Sequence, residues 1–413
     1  MSKIKVFHTA DLHLGIESYG KLDPNTQANT RILDFFASLD WLVEKAIKED
    51  IDALIIAGDI YHHREPNIFV QNEFCKRLSL LISQQIPVLL LIGNHDSILS
   101  MERISSLQLF KELKIPSVYL FDEAKVLTIE TKNGPLQVAG IPFLERNMIR
   151  EFMINKNIEE NKRNEITQLV ITRIIGGFKK EIKAKVPTIL TAHLTVREAM
   201  YDNWRPTIVG NEVYLSKSVL NDPVFSYVAM GHIHKPQIFD EDKSVPVLSY
   251  PGSLTALDFG EASYDHGFMS IEFDAQKNKT SAKFVKVPQQ RRFITFNLDI
   301  NPEDDLYIKC KELFDAANYQ EDIVRINITL HGEAEVDEQK IRRDFSERCH
   351  IISSIHIDRK KRAIPRISSL SSDLDPLEAL QQYIKASNDD FLLEYEKDLS
   401  ILTQQLMEEL GEA

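Results

Sequence analysis

Apolar residues in this chain come in two rhythms. Short, almost unbroken runs, "IKVFHTAD" (4–11), "DALIIAGD" (52–59) and "PVLLLIGNHD" (87–96), read as strands buried on both faces. Between the first two, Ile32, Phe35, Phe36, Leu39, Leu42, Val43 and Ala46 recur at helical spacing over residues 30–48, and a second helical pattern covers roughly 67–84. This β-α-β-α-β alternation predicts an α/β layered domain. The runs "PTILTAH" (187–193) and "FSYVAMGH" (225–232) add strands, and the polar, helix-prone residues 146–185 form an insertion between strands. Near 288 the pattern changes to strand (293–299), helix (303–317), strand (323–331), helix (337–349) and strand (351–358), a second and smaller α/β unit. A Ser/Pro/Asp-rich linker, "PRISSLSSDLDP" (365–376), leads into two helices. Asp375 suits the first N-cap, Pro376 its first helical position and Glu378 a capping box. The second helix, about 389–410, sets Phe391, Tyr395, Leu399, Leu402, Leu406 and Leu410 on one stripe that must bury itself against something. The expected divisions are 1–287, 288–364 and 365–413.

Length and composition narrow the class. A chain of 413 residues suits two or three domains, and 43% apolar with 27% charged residues is the balance of a soluble globular protein. The N-terminus goes straight into a strand pattern without an apolar leader, and no run is long enough to cross a membrane. Cys75, Cys310 and Cys349 are far apart and odd in number, which argues against a disulfide framework and for a reducing, cytoplasmic setting. Cys75, within a helical pattern, is expected in the core. The net charge of −13 is concentrated at one end: residues 367–413 hold eleven acidic residues and two lysines, a net −9, leaving −4 for the rest. Within that remainder, residues 340–366 are basic, and Arg359, Lys360, Lys361 and Arg362 could meet phosphates, although a solvated surface fits the charge equally well. No G-x-x-x-x-G-K-[ST] loop is present, so any ATP dependence would come from a partner.

Chemistry gathers where the strands stop. "KIKVFHTAD-LH" ends in Asp11 and His13, "DALIIAGD" in Asp59, "PVLLLIGNHD" in Asn94, His95 and Asp96, "PTILTAH" in His193, and "FSYVAMGHIH" in His232 and His234. Ligand sites of open α/β sheets lie outside the carboxyl ends of the strands, so five such ends can meet in one crevice. Carboxylate oxygen and imidazole nitrogen without thiolate suit manganese, iron or zinc. Asp11/His13 and His232/His234 are spaced i, i+2, which in extended backbone places both side chains on one side. Glycines 58, 93 and 231 precede Asp59, Asn94 and His232, allowing a sharp turn and close approach to an ion. A lone D-x-H or a lone histidine carries little information. "GNHD" after an apolar strand carries more, and the five endings in order carry most.

With those residues in hand, the chain resembles the calcineurin-like metallophosphoesterases, and within them the SbcD-like nucleases of double-strand-break repair. "HTADLHLG", "AGDIYHHREP", "LLIGNHDS", "TAHLTV", "MGHIHKPQ" and "SYPGSLTALDFGE" carry the likeness, which covers the first 285 residues. The resemblance implies a metallophosphoesterase β-sandwich flanked by helices, a smaller α/β capping domain that contacts DNA, and a C-terminal helix pair. It implies two divalent ions, manganese above all. Asp11, His13 and His234 would hold one, Asn94, His193 and His232 the other, and Asp59 would bridge them. His95 would face the scissile phosphate with Asp96 fixing its orientation. His62, three residues after Asp59, would position a DNA end, with His63 as the neighbouring alternative. The implied activity is 3'-5' exonuclease on duplex ends and endonuclease on single strands. The implied partners are DNA, a second copy bound through helices near 67–84 and 101–113, and an SbcC-like ABC-type ATPase gripped by the C-terminal helices, with no membrane. A phosphatase or cyclic-nucleotide phosphodiesterase is the alternative, and a catalytically dead scaffold a more distant one.

Overall fold

The apolar runs become strands that stop short of the polar residues at their ends, except that the strand from the run 187–193 has His193 as its last residue. In chain order they are β1 (Ile4–Thr9), β2 (Ala53–Ile56), β3 (Val88–Leu91), β4 (Val118–Phe121), β5 (Lys125–Thr131), β6 (Gly134–Ile141), β7 (Thr188–His193), β8 (Thr195–Val196), β9 (Tyr214–Leu215), β10 (Tyr227–Gly231), β11 (Gln237–Phe239), β12 (Val247–Tyr250), β13 (Gly267–Asp274) and β14 (Lys279–Lys286). The computed structural model describes residues 3–97, 105–144, 159, 162–199, 214–239, 246–274, 279–289, 291–331, 336–360, 375–387 and 390–410.

Two six-stranded sheets form, in the orders β14-β13-β1-β2-β3-β4 and β11-β12-β10-β7-β6-β5. Period-2 alternation explains why they stack. From the first sheet Val6, Ala53, Ile55, Leu89, Leu91 and Ile271 enter one cluster with Val138, Ile189, Tyr227 and Ala229 of the second. The intervening residues Phe7, Leu54, Ile56, Val88 and Leu90 turn the other way, onto α1 (Thr30–Lys48) and α2 (Ile68–Ser83). On the far side of the second sheet, Leu190, Ala192, Val228 and Met230 pack with Ile171, Ile175 and Phe178 of the helix Arg163–Glu181. The result is the expected β-sandwich flanked by helices. The helix expected at 30–48 is found there, capped by the Asn29 side chain on the Arg31 N–H.

In the first sheet β1, β2, β3 and β4 run parallel. In the second, β6, β7, β10 and β12 do so. Within each set the carboxyl ends share one edge, and a site can assemble there.

One expectation fails on this body. Val70, Phe74, Leu78 and Leu81 are the buried stripe of α2, and Cys75 is exposed. Cys75 follows Phe74 by one position, about 100° round the helix, and falls outside the stripe.

The later strands β15 (Phe293–Ile300), β16 (Tyr319–His331) and β17 (Cys349–Lys360) form one three-stranded sheet, accompanied by the helices Leu306–Asp315 and Glu338–Phe345. Two compact units divide the chain: Met1–Thr295 with Asn318–Arg325 and Asp344–Ser354, and Phe296–Ala317 with Ile326–Arg343 and Ile355–Ala413. In the C-terminal segment helices cover Pro376–Ser387, Asp390–Glu394 and Glu396–Leu410. Ile384 is buried, whereas Tyr395, Ile401, Leu402 and Leu406 are exposed. Among the described residues no helix is long and apolar enough to cross a membrane.

Candidate metal centre

Beyond the ends of β1 and β2 the two loops keep exchanging backbone hydrogen bonds. The N–H groups of Asp11, His13 and Leu14 donate to the carbonyls of Gly58, Asp59 and Ile60, at 3.1, 3.0 and 2.9 Å. To stay in register while turning inward, Asp11, His13 and Asp59 adopt φ of 51°, 43° and 51°, and His232 adopts 97°. Left-handed backbone in four non-glycine residues is costly and is characteristic of functional sites. Two glycines make the close approach possible. A Cβ on Gly58, itself at φ +95°, would lie 2.1 Å from His193 Nδ1, and one on Gly93 would lie 2.2 Å from Asp59 Oδ1.

The predicted ligands converge. Ligand atoms of Asp11, His13 and His234 lie within 4.8 Å of one another, as do those of Asp59, His193 and His232. Asn94 Oδ1 stands 3.0 Å from both His193 Nε2 and His232 Nδ1. Asp59 Oδ2 lies between the groups, 3.3 Å from His193 Nε2 and 3.7 Å from His13 Nε2. Asp11, His13, Asp59 and His193 are buried, while Asn94, His95, His232, His234 and His62 are partly exposed and form the mouth.

The donor chemistry fits cations. His193 gives its Nδ1 proton to the Ala57 carbonyl at 2.8 Å, so a neutral His193 aims a bare Nε2 at the oxygens of Asn94 and Asp59. His234 Nδ1 meets the Glu261 carboxylate at 2.6 Å, and its Nε2 faces His13 Nε2 at 3.1 Å. Lone pairs aimed at common points are stable only around positive charge. In the metal-free protein protons take part of that role. Burial disfavours the imidazolium of His193, yet Asp59 and then Asp11 raise it to about 9. His234 is likewise raised to about 9 against burial, first by the Glu261 hydrogen bond and then by Asp11. His232 is pushed down to about 3 by burial and by His193, and His13 falls well below its ordinary value through burial and His234. Burial drives the Asp11 carboxyl up to about 6. Burial also opposes ionisation of Asp59, but His193, His13 and His95 hold it below the usual carboxylate range. The residues thus fit two divalent ions.

His95 sits beside these clusters, its backbone N–H donating to Asp59 Oδ1 at 2.8 Å. Its orientation does not come from Asp96. His95 Nδ1 meets the His62 carbonyl at 2.7 Å. The buried Asp96 carboxylate instead accepts from the N–H groups of Ile60, Tyr61 and Gly93 at 3.1, 3.0 and 3.1 Å. The adjacency of His95 and Asp96 in sequence is lost in the tight turn, where successive side chains diverge. A buried charge is best compensated by several backbone donors, each worth about 1.5–3 kcal/mol. Asp96 therefore ties the β2 and β3 loops together, although burial and Asp59 push its carboxyl up to about 6.

Of the two adjacent histidines, His62 joins the cluster, its Nδ1 3.4 Å from His13 Nδ1, and His63 is exposed with its ring edge-on to His62. Arg359 and Lys360 are exposed near the end of β17, and Lys361 and Arg362 lie outside the described residues. Glu261 was not singled out by sequence reasoning. It belongs to the quoted "LDFGE", but it stands 27 residues from His234 and no spacing rule joins them.

The family model for calcineurin-like phosphoesterases matches residues 4–236. The chain belongs to that family. As a metallophosphoesterase it is a phosphoester hydrolase of dimetal type, in keeping with the two ligand clusters that contain a carboxylate. Among solved structures, a dimetal phosphatase from Danio rerio is similar at 12% identity and TM-score 0.36, over 68% of this chain and 98% of that one. Phosphopantetheinyl hydrolase (PptH) from Mycobacterium tuberculosis is similar at 14% identity and TM-score 0.35, over 61% and 90%.

Proposed function

We propose that this phosphoesterase is a DNA nuclease, a 3'-5' exonuclease on duplex ends and an endonuclease on single strands, acting in double-strand-break repair as the SbcD-like subunit of an SbcCD-type complex. The observation that carries the reading is His62. It is a partly exposed imidazole three residues past Asp59, its Nδ1 3.4 Å from His13 Nδ1, grouped with His13 and His95 and in neither of the two clusters that contain a carboxylate. A group there can touch the strand on one side of the scissile phosphate. The chemistry that divalent ions supply at such a site, here assigned to manganese, is stabilisation of phosphoryl charge and a water acidic enough to ionise near neutral pH. The chain's own part is to fix the donors on rigid strand ends and to leave one face of the cluster open. Digestion of linear duplex DNA, compared with nitrophenyl phosphomonoester and phosphodiester, tests the reading, and activity confined to the nitrophenyl compounds would defeat it. His62→Ser should impair digestion of duplex ends more than cutting of single strands. An equal loss of both, or a larger effect at His63, removes His62 from that role.

The same reading assigns residues 288–364 to capping and DNA contact and 365–413 to a linker and an ATPase-binding helix pair. Exposed Ile401, Leu402 and Leu406 support an apolar docking face on the last helix. A chain ending at Ile364 should keep nuclease activity on short oligonucleotides and fail to co-purify with the ATPase; retained co-purification excludes the assignment. A homodimer is supported by exposed Ile68, Phe69 and Leu80 of α2 and by Leu109 and Leu113 at α3 (Gln108–Glu112) and its C-cap. Met101 and Ile104, in the stretch 101–113 expected at that face, lie outside the described residues. A monomeric mass by light scattering would overturn the dimer.

A further inference from the structure

We infer that Glu261 is a positioning residue for the metal centre, selecting the tautomer of His234 that can bind an ion at the Asp11, His13 and His234 cluster. The inference rests on the dimetal reading of the site. A short turn, Phe259–Glu261, is capped by Asp258, whose side chain accepts the Gly260 N–H at 2.7 Å. Phe259 is packed edge-on against Tyr19 and Phe293, and the Arg325 guanidinium lies 4.4 Å from its ring centroid. The turn is thereby anchored, and it delivers Glu261 as a buried carboxylate.

The two oxygens of that carboxylate do different things. Oε2 accepts from the Ser253 hydroxyl at 2.8 Å and from the Leu257 N–H at 3.1 Å, which fixes the plane of the group. Oε1 faces His234 Nδ1 at 2.6 Å. A carboxylate can only accept, so Nδ1 carries the proton and, in the neutral ring, Nε2 is bare toward His13 Nε2, 3.1 Å away. The backbone of His234 is held by the same segment, its carbonyl accepting the Ser253 N–H at 3.1 Å. The other cluster is supported differently, because His193 Nδ1 meets only the neutral carbonyl of Ala57. A carboxylate partner makes an imidazole a stronger donor than a carbonyl does, so the two clusters should respond unequally to changes at position 261.

Glu261→Gln separates positioning from support. If the glutamine carbonyl keeps the Ser253 and Leu257 bonds, its amide NH2 faces His234 Nδ1. Nδ1 must then accept, and the proton moves to Nε2, where it blocks the ion. Manganese titration with elemental analysis should be run on the full chain, on Glu261→Gln, on His234→Ala and on the double variant. The glutamine variant should keep its thermal midpoint and bind one of two ions about 10- to 100-fold more weakly, the other as before. The double variant should bind no worse than His234→Ala alone, since Glu261 acts through that ring. Two ions at wild-type affinity in Glu261→Gln, equal weakening of both, or full additivity in the double variant would overturn the inference. Fewer than two ions in the unaltered chain would instead sink the dimetal reading on which it stands.

Discussion

Asp59→Ala should abolish binding of both ions and take phosphodiester hydrolysis to background. Its carboxylate stands between the two groups: Asp59 Oδ2 is 3.3 Å from His193 Nε2 and 3.7 Å from His13 Nε2. Removing it withdraws a negative charge from a buried site crowded with imidazoles, where low polarity magnifies each remaining repulsion. His232→Ala deletes a ring that stands 3.0 Å from Asn94 and groups with Asp59 and His193, and it should weaken chiefly one ion. Metal content per chain by elemental analysis distinguishes the two variants, and full double occupancy in Asp59→Ala would end the bridging assignment. A second readout concerns protons. In the metal-free protein Asp59 is the foremost group raising His193 to about 9, while burial alone would lower it. In Asp59→Ala the His193 imidazole should therefore titrate below that value. NMR titration of the metal-free variant measures this, and an unchanged His193 would mean that the raising charge lies elsewhere.

Much of this centre was legible in the sequence because strand chemistry is local. An apolar run of four to six residues ending in Gly-Asp or Gly-Asn-His-Asp specifies a buried strand and what hangs from its end, and parallel pairing brings those ends to one edge. Side-chain direction within a turn was not legible. Asp96 follows His95, yet it serves three backbone donors on two loops, and the ring is held by a carbonyl 33 residues earlier. Glu261 was hidden for the complementary reason, since its partner arrives through tertiary packing rather than periodicity. The left-handed residues Asp11, His13, Asp59 and His232 were equally hidden. Aspartate and histidine adopt positive φ more readily than most residues, but nothing in the sequence marks which of them do; for Asp11, His13 and Asp59 it accompanies the pairing of neighbouring loops.

His95→Asn should leave both ions bound and DNA affinity near normal while lowering the turnover rate about 10²- to 10³-fold, the usual effect of deleting one donor to developing charge. The substitution is chosen from the geometry. Asparagine keeps the backbone N–H that donates to Asp59 Oδ1, so the carboxylate between the two clusters stays oriented. Its side-chain NH2 falls close to the former Nδ1 and can still reach the His62 carbonyl, preserving the loop that carries His62. What disappears is Nε2, the nitrogen that the Nδ1 bond leaves for the substrate phosphate. A contact made to charge that develops only during reaction contributes to rate and not to ground-state binding. The expected pattern is thus a lower kcat with KM little changed and two ions per chain. His95→Ala should lose more, because the tie to His62 goes as well. If His95→Asn loses an ion, His95 is a ligand of the cluster it forms with His13 and His62, whose nitrogens lie within 4.8 Å of one another. If instead the variant turns over normally, the phosphate is stabilised by other groups and His95 serves only to hold the two loops together.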